Sequence, residues 1–397
     1  MTEKKQLRDV LDFDRRFNGI TLRSFDKVLE FRHISAEEMK EICVEQGDVK
    51  LLSVGQFEGY TTKELAGDNL CQGEVITIPT GGAANFKYHN GYFVDSGNIL
   101  CSPKDESVVG KYVFYFLCYS VDVVNSYYQG ASIKHPKMAD ICKMVIPIGT
   151  PSEQKKIVEE FELLTKTISQ QKRLLDELNQ FQKAIFYRMF GSPSLNDKGW
   201  RLLHIDDIVL KKKNSIKRGP FGGALKKEIF VPQGYLVYEQ YHALNRDFSF
   251  ERYYITEQKY QELIDFAVEP NDIIISCSGV NLGRLAIVPQ NAKPGVINQA
   301  LLKVSLDNKI MTNEMFDYIF TDEGFKDKYF GTFRGCAIPN FPPMSDFRKF
   351  EFIVPPIDLQ LSFSERIQQI ELQKSSVKDA LKDTQALFDY TMNKHFG

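Results

Sequence analysis

The sequence predicts a mixed α/β (α+β) protein in which one unit is written twice. Two tandem globular domains are separated by two long helices that form an antiparallel coiled coil, and the whole is pseudo-twofold. Three observations predict this. Residues 154–191, "QKKIVEEFELLTKTISQQKRLLDELNQFQKAIFYRMFG", lie over residues 360–397, "QLSFSERIQQIELQKSSVKDALKDTQALFDYTMNKHFG", without a gap. Gln154/Gln360, Glu159/Glu365, Ser169/Ser375, Lys172/Lys378, Leu175/Leu381, Phe190/Phe396 and Gly191/Gly397 coincide at one offset. Both stretches also carry apolar residues at alternating steps of three and four, the spacing of a coiled-coil seam. Finally, the likeness runs upstream. "HPKMADICK" (135–143) shares Pro136/Pro342, Met138/Met344, Asp140/Asp346 and Lys143/Lys349 with "FPPMSDFRK" (341–349), and an apolar run ending in proline follows each.

In chain order this gives a first domain over 1–147, a central helix over 148–191, a second domain over 192–355 and a C-terminal helix over 356–397. The domain starts also look alike. "GITLRSFDKV" (19–28) lies over "GWRLLHIDDI" (199–208) at an offset of 180. Growth of the offset from 180 to 206 predicts roughly 26 additional residues in the second domain. "EVITIP" (74–79) and "DIIISCSG" (272–279) read as buried strands. Residues 110–128 and 313–330 read as helices with aromatic faces. "GSPSLNDKG" (191–199) is a turn-rich link.

The seam of the central helix is Ile157, Phe161, Leu164, Ile168, Leu175, Leu178, Ile185 and Met189, interrupted by Gln171 and Gln182. Its counterpart is Phe363, Ile367, Ile370, Val377, Leu381 and Phe388, interrupted by Lys374, Thr384, Thr391 and His395. The polar interruptions do not by themselves fix the orientation. Closing a pseudo-twofold unit requires antiparallel helices. Ile157–Ile168 then lie towards Leu381–Phe388, and Leu175–Ile185 towards Phe363–Ile370.

A net charge of −2 excludes a uniformly basic coat but not local basic patches. The seven cysteines are odd in number and form no C-x-x-C, so neither a disulfide framework nor a metal site is expected. Reduced thiols in a cytoplasm are the economical reading. The start, "MTEKKQLRDV", shows no secretory h-region, and no apolar run reaches the length of a membrane span.

Glycine-rich and basic loops carry the candidate site. "TGGAANFKYHNG" (80–91) offers Asn85, Lys87 and Tyr88, and "YYQGASIKHPK" (127–137) offers Lys134. In the second domain "KKKNSIKRGPFGGALKK" (211–227) offers Lys217, Arg218, Lys226 and Lys227. "SCSGVNLGR" (276–284) ends in Arg284, and "FRGCAIPN" (333–340) contains Arg334. Glycine lets a backbone approach a phosphate, Lys and Arg neutralise it, and Asn, Gln and Arg read base edges. No phosphate-loop, dinucleotide-binding, zinc-protease or nucleophile-elbow motif occurs, and "NFPP" (340–343) has the letters of an adenine-methylase motif in the wrong order. No catalytic residue is therefore assigned.

The paired helices, the "MFG" ending, "GWRLLHIDDI" and "RGPFGGALKKEIFVPQGYLVYEQ" (218–240) together resemble the specificity (S) subunits of type I restriction–modification enzymes. That resemblance implies two target recognition domains, each reading one half of a split site in double-stranded DNA. It implies helices that space the domains and bind methyltransferase (M) subunits, two of them, with restriction (R) subunits in the full complex. S-adenosylmethionine and ATP would belong to those partners and not to this chain. On that reading the loops above predict that Arg218, Lys226, Lys227 and Arg284 contact the second half-site or its phosphates, and Asn85, Lys87, Tyr88 and Lys134 the first. Residues 157–189, at ~1.5 Å per residue, make a helix about 50 Å long. Half-sites one DNA turn apart are about 34–36 Å between centres, so such a helix can act as a ruler. Two other readings are a coiled-coil scaffold with protein-binding domains and a single-chain restriction–modification component with its own activity.

Overall fold

The computed structural model describes residues 3–14, 28–29, 31–279, 281–331 and 341–397. It divides into two compact units, Met1–Arg173 with Lys378–Gly397, and Leu174–Val377. Arg334 and most of the segment 19–28 lie outside the described residues.

Each unit opens and closes with the same device. In the first, strand Glu3–Gln6 pairs antiparallel with Val145–Ile148, Glu3 opposite Ile148. A one-turn helix, Leu7–Val10, follows and buries Leu7 and Val10. In the second, Arg201–His204 pairs with Glu351–Val354, Arg201 opposite Val354, and the helix Ile205–Ile208 buries Ile205 and Ile208. The true counterpart of 201–208 is therefore 3–10, not 19–28. Arg201 stands 198 positions after Glu3, and Val354 stands 206 after Ile148. The second domain is eight residues longer between these marks, which corrects the larger insertion expected from sequence.

The centre of each domain is one four-stranded antiparallel arrangement. In the first unit the order is Leu11–Asp14, Ile99–Pro103, Cys71–Ile78, Lys87–Asp95. In the second it is Ile216–Arg218, Leu301–Val304, Ile273–Ser276, Leu285–Ile287. Ile76 and Ile78 join the helical core of the first domain as Ile273 and Ile275 join that of the second, so the two arrangements present the same face to it. The β-branched runs "VITI" and "DIII" suit strands covered on both faces.

The additions differ. The first unit extends its sheet to seven strands, with Val49–Leu52 parallel to Lys87–Asp95, Glu58–Thr61 beyond it, and Val28–Leu29 on the far edge. The second builds a separate three-stranded sheet, Tyr254–Ile255, Tyr235–Tyr238, Gly295–Ile297. The strand Lys87–Asp95 would span ~27 Å if straight. Yet the Lys87 ammonium bonds Ser53 and the amide of Ser96 donates to Leu52 O (3.1 Å). The strand must curl. Gly91, with φ 145°, sits opposite Gly73, with φ 156°, where the curl is made.

The stretches read as single helices are broken in both domains. Gly110–Tyr119 is followed by Val121–Ser126, and Asn313–Thr321 by Glu323–Phe330. Asp322 makes the second break by capping the next helix, its Oδ1 accepting from Phe325 N at 2.9 Å.

Two forty-residue helices, Pro151–Phe190 and Ile357–Phe396, follow the domains. Thr150 and Glu153 form a reciprocal cap at the first: Glu153 N donates to Thr150 Oγ1 (3.3 Å) and Thr150 N to Glu153 Oε2 (2.7 Å). Beside each start lies the repeated glutamine, fully buried in both copies. Gln154 Nε2 donates to Ser107 O (2.8 Å) and Gly149 O (2.9 Å), and its Oε1 accepts from Val109 N (2.9 Å). Gln360 repeats this with Ile310 O (3.0 Å), Pro355 O (2.8 Å) and Thr312 N (3.0 Å). One amide ties the helix to the domain before it by satisfying backbone groups that burial would otherwise leave unpaired.

Within each unit the helices run antiparallel. In the first, Phe161 meets Phe388 and Phe396, with ring centroids 5.8 Å apart in both pairs, and Gln171 Nε2 donates to Thr384 Oγ1 at 3.1 Å. In the second, Phe186 meets Phe363 at 5.7 Å, and Lys374 Nζ donates to Gln182 Oε1 at 3.1 Å. The polar interruptions thus face one another. They distinguish this pairing from others, contrary to the expectation that they do not fix the orientation. Along the seam Phe161, Phe363, Ile367 and Ile370 are buried, and Ile157, Leu164, Ile168, Leu175 and Leu381 are half-buried.

The helix ends join the domain cores. Phe396 packs on Tyr112 and Phe116 in the first unit, and Phe190 packs on Phe363 and Trp200 in the second. The glycine after Phe190, Gly191, has φ +74°, and a side chain there would collide with Asp197.

Candidate nucleic-acid interface

In the first domain the structure gathers the two polar loops read from sequence. Gly82 N donates to Lys134 O (2.9 Å), and His135 Nδ1 donates to Thr80 O (2.6 Å). Lys134 is exposed there. A third loop, Ser53–Phe57, adjoins them through Asn85, whose Nδ2 reaches Gly55 O at 3.4 Å.

Two candidates of this set are corrected. Lys87 lies in a strand and is only 9% exposed. Its Nζ donates to Ser53 O (3.0 Å), Ser53 Oγ (3.0 Å), Gly55 O (2.8 Å) and Phe57 O (3.1 Å). An ammonium has three donors, and all are spent inside the protein. Burial holds its pKa below the ordinary lysine value, while Glu58 pulls the other way. Tyr88 is half-buried, its hydroxyl donating to Glu74 Oε1 (2.9 Å) and its ring 6.1 Å from that of Phe114. Burial, reinforced by Glu74, pushes its pKa up. Tyr88 therefore belongs to the wall of the core.

In the second domain the basic run divides. Lys212 pairs with Glu269 (2.6 Å) and Lys213 with Asp265 (3.4 Å). Lys217, expected at the DNA, lies 3.7 Å from Asp265 and 4.8 Å from the Phe266 ring centroid. Its charge is already met. Arg218 ends its strand differently. Its Nε is buried without a hydrogen-bond partner among the described residues, and its guanidinium lies 5.9 Å from the ring of Phe221. Phe221 is 78% exposed. Sequence reading passed over it because a lone phenylalanine looks like core.

The loop holding Phe221 is fastened where it leaves the strand. Gly219 N donates to Leu301 O (2.8 Å), and a side chain at Gly219 would collide with the carbonyl of Asn298. Cys277 N donates to Ala300 O (2.8 Å), which brings in the loop 277–284. Gln240 braces that loop, its Nε2 donating to Ser276 Oγ (2.7 Å) and Ser278 O (2.6 Å). Arg284 stands exposed at its end, one residue before the strand Leu285–Ile287. Arg218, Phe221 and Arg284 thus come from strand ends tied together at one end of the sheet. Lys226 and Lys227 are exposed just beyond Phe221. The loop 277–284 follows its strand as 79–86 does in the first domain, so the two glycine-containing loops are structural equivalents. An arrangement of exposed cations, an aromatic ring and open backbone suits phosphates and bases.

The long helices carry exposed apolar residues away from the seam. Leu163 (66%), Leu174 (41%) and Phe181 (56%) recur at steps of eleven and seven, and so share one face of the first helix. No helix among the described residues is long and apolar enough to cross a membrane.

Residues 32–180 match the family described as Type I restriction modification DNA specificity domain. Over the whole chain the fold is similar to that of the S subunit of a type I restriction–modification system from M. genitalium, seen by crystallography. Identity is 14%, with 100% of this chain and 96% of that chain covered and a TM-score of 0.64. It is also similar to a chain from a structure concerned with complex assembly and conformational transition of the type I R-M system. There identity is 13%, coverage 100% and 97%, and the TM-score 0.54. At such identities the likeness shows the fold. No curated protein matches the chain.

Proposed function

Because residues 32–180 match the family described as Type I restriction modification DNA specificity domain, we propose that this chain is the DNA-reading subunit of a multi-subunit methyltransferase and restriction enzyme. Each domain reads one half of a split site in double-stranded DNA. Two M subunits dock on the long helices, where Leu163, Leu174 and Phe181 offer apolar area. R subunits join in the full complex. The chain itself is non-catalytic, works in the cytoplasm, and leaves S-adenosylmethionine and ATP chemistry to its partners.

One observation carries this reading. The same four-stranded arrangement, with a glycine-containing loop after its second strand in chain order, occurs twice, but the side chains around the loop differ. A repeated frame with unlike contact residues is what two unlike half-sites require. Few exposed cations stand among the candidate contacts, so affinity for DNA alone is weak and falls steeply with salt.

The test is to co-express the chain with a neighbouring methyltransferase subunit and map modified bases across a genome. The expected result is one bipartite sequence with a fixed gap. A scaffold whose domains bind protein would instead retain no specific duplex, and modification without a shared sequence would exclude the proposal.

A further inference from the structure

The Ser53–Phe57 loop is held more firmly than a surface turn needs to be. One buried ammonium shares its three donors among four acceptors of this loop, Ser53 O, Ser53 Oγ, Gly55 O and Phe57 O. Ser53 Oγ also donates to Phe57 O (2.6 Å), and Val54 N donates to Ser96 Oγ (3.1 Å). Burying a cation costs solvation, which the carbonyls of this loop offset only in one loop conformation. The matching strand of the second domain, Leu285–Ile287, holds no lysine and makes no such clamp. The clamp is therefore not a requirement of the shared fold.

The tip of this loop is open. Gly55 and Gln56 are exposed. Glu58, next along, pairs with Lys50 at 3.1 Å. Gln56 is the side chain of the loop with both a donor and an acceptor to present, the pattern that reads an adenine edge in the major groove. Asn85 joins the loop to 80–86, and Gly82 joins that loop to exposed Lys134.

We propose that Ser53–Phe57 is a pre-formed reading loop for the first half-site, with Gln56 contacting a base edge and Lys87 as the positioning residue. This rests on the DNA-reading function proposed above. It goes further in assigning the loop and in giving Lys87 a role behind the surface.

The experiment selects duplexes from a randomised pool with the full chain bound to its methyltransferase partner. Wild type, Gln56→Ala, Lys87→Met and Lys87→Arg are compared. Gln56→Ala should relax one base position of one half-site, with roughly tenfold less discrimination there, and leave the other half-site unchanged. Lys87→Met should relax that position and its neighbours, and Lys87→Arg should restore part of the preference. A purely structural lysine would lower affinity without changing which bases are selected. If wild type selects a split site and Gln56→Ala keeps the same stringency at every position, the loop assignment is wrong while the DNA-reading function stands. If wild type selects no split site, that function fails and this inference falls with it.

Discussion

At the end of the matching edge strand the two domains hold opposite charges. Leu100 N donates to Asp14 Oδ2 in the first domain, and Arg218 ends the strand Ile216–Arg218 in the second, paired with Leu302. Asp14 is 1% exposed, 3.5 Å from His33 Nε2, while His33 Nδ1 lies 2.7 Å from Asp95. Two buried carboxylates and an imidazole are thus closed on each other. Arg218 instead leans on exposed Phe221 with one nitrogen unpaired. The frame tolerates either charge because strand pairing uses backbone groups. The first domain turns its strand end inward for stability. The second sets its strand end beside an exposed ring.

The frame itself should fail first. Phe190→Ala, in the core of the second unit, should cost about 4 kcal/mol. Phe396→Ala, slightly more exposed, should cost less and act on the first unit. Hydrogen exchange resolved by segment reads both, and equal deprotection of both units by either variant would break the idea of separate cores.

Next comes the position of opposite charge. Asp14→Ala should destabilise the first unit by about 3 kcal/mol, since it leaves a buried imidazole short of a partner. Arg218→Ala should leave melting nearly unchanged and weaken duplex binding. Arg284→Ala should relax the second half-site by roughly tenfold and spare the first. A melting loss for Arg218→Ala as large as that of Asp14→Ala would show that both positions are structural.

The repeated glutamines sharpen the likeness. Gln154→Ala and Gln360→Ala should each cost about 2 kcal/mol, in different units but by similar amounts. Urea unfolding followed by a probe in each unit measures this. A cost confined to one copy would mean that the matching bonds are not equivalent in energy.

The seam gives the smallest effect. Gln171→Leu alone should cost about 1 kcal/mol by leaving Thr384 short of a partner. Gln171→Leu with Thr384→Leu should recover most of it. A double-mutant cycle without coupling would remove the role of this pair in choosing orientation.

What was legible in the sequence follows from what each signal depends on. The seam was readable because burial along a helix depends only on spacing, and Phe161, Phe363 and Ile367 lie where steps of three and four put them. Gln154 and Gln360 showed as an identity, but their purpose needed the carbonyls of Ser107 and Ile310, some fifty residues away. The domain start was misplaced because "EKKQLRDV" and "RLLHIDDI" share little beyond Asp9/Asp207 and three apolar or polar equivalences, fewer than chance gave at 19–28. The site was least legible. Lys217 looked free until Asp265 came beside it, and Lys87 looked like a loop residue until the strand curled over Ser53. Distant partners decide whether a cation is available, and spacing along the chain does not show them.

The first unit is assembled from both ends of the chain, since its core takes in Met392 and Phe396 beside Leu7 and Val10. The second unit is continuous, from Leu174 to Val377. During synthesis the order of completion is therefore reversed from the order of translation. The second unit has all of its chain once residue 377 has emerged, while the first, made earlier, waits with an unfilled aromatic socket formed by Tyr112, Phe116 and Phe161. A chain cut short near residue 380 would hold every residue of the second unit and leave the socket of the first one open.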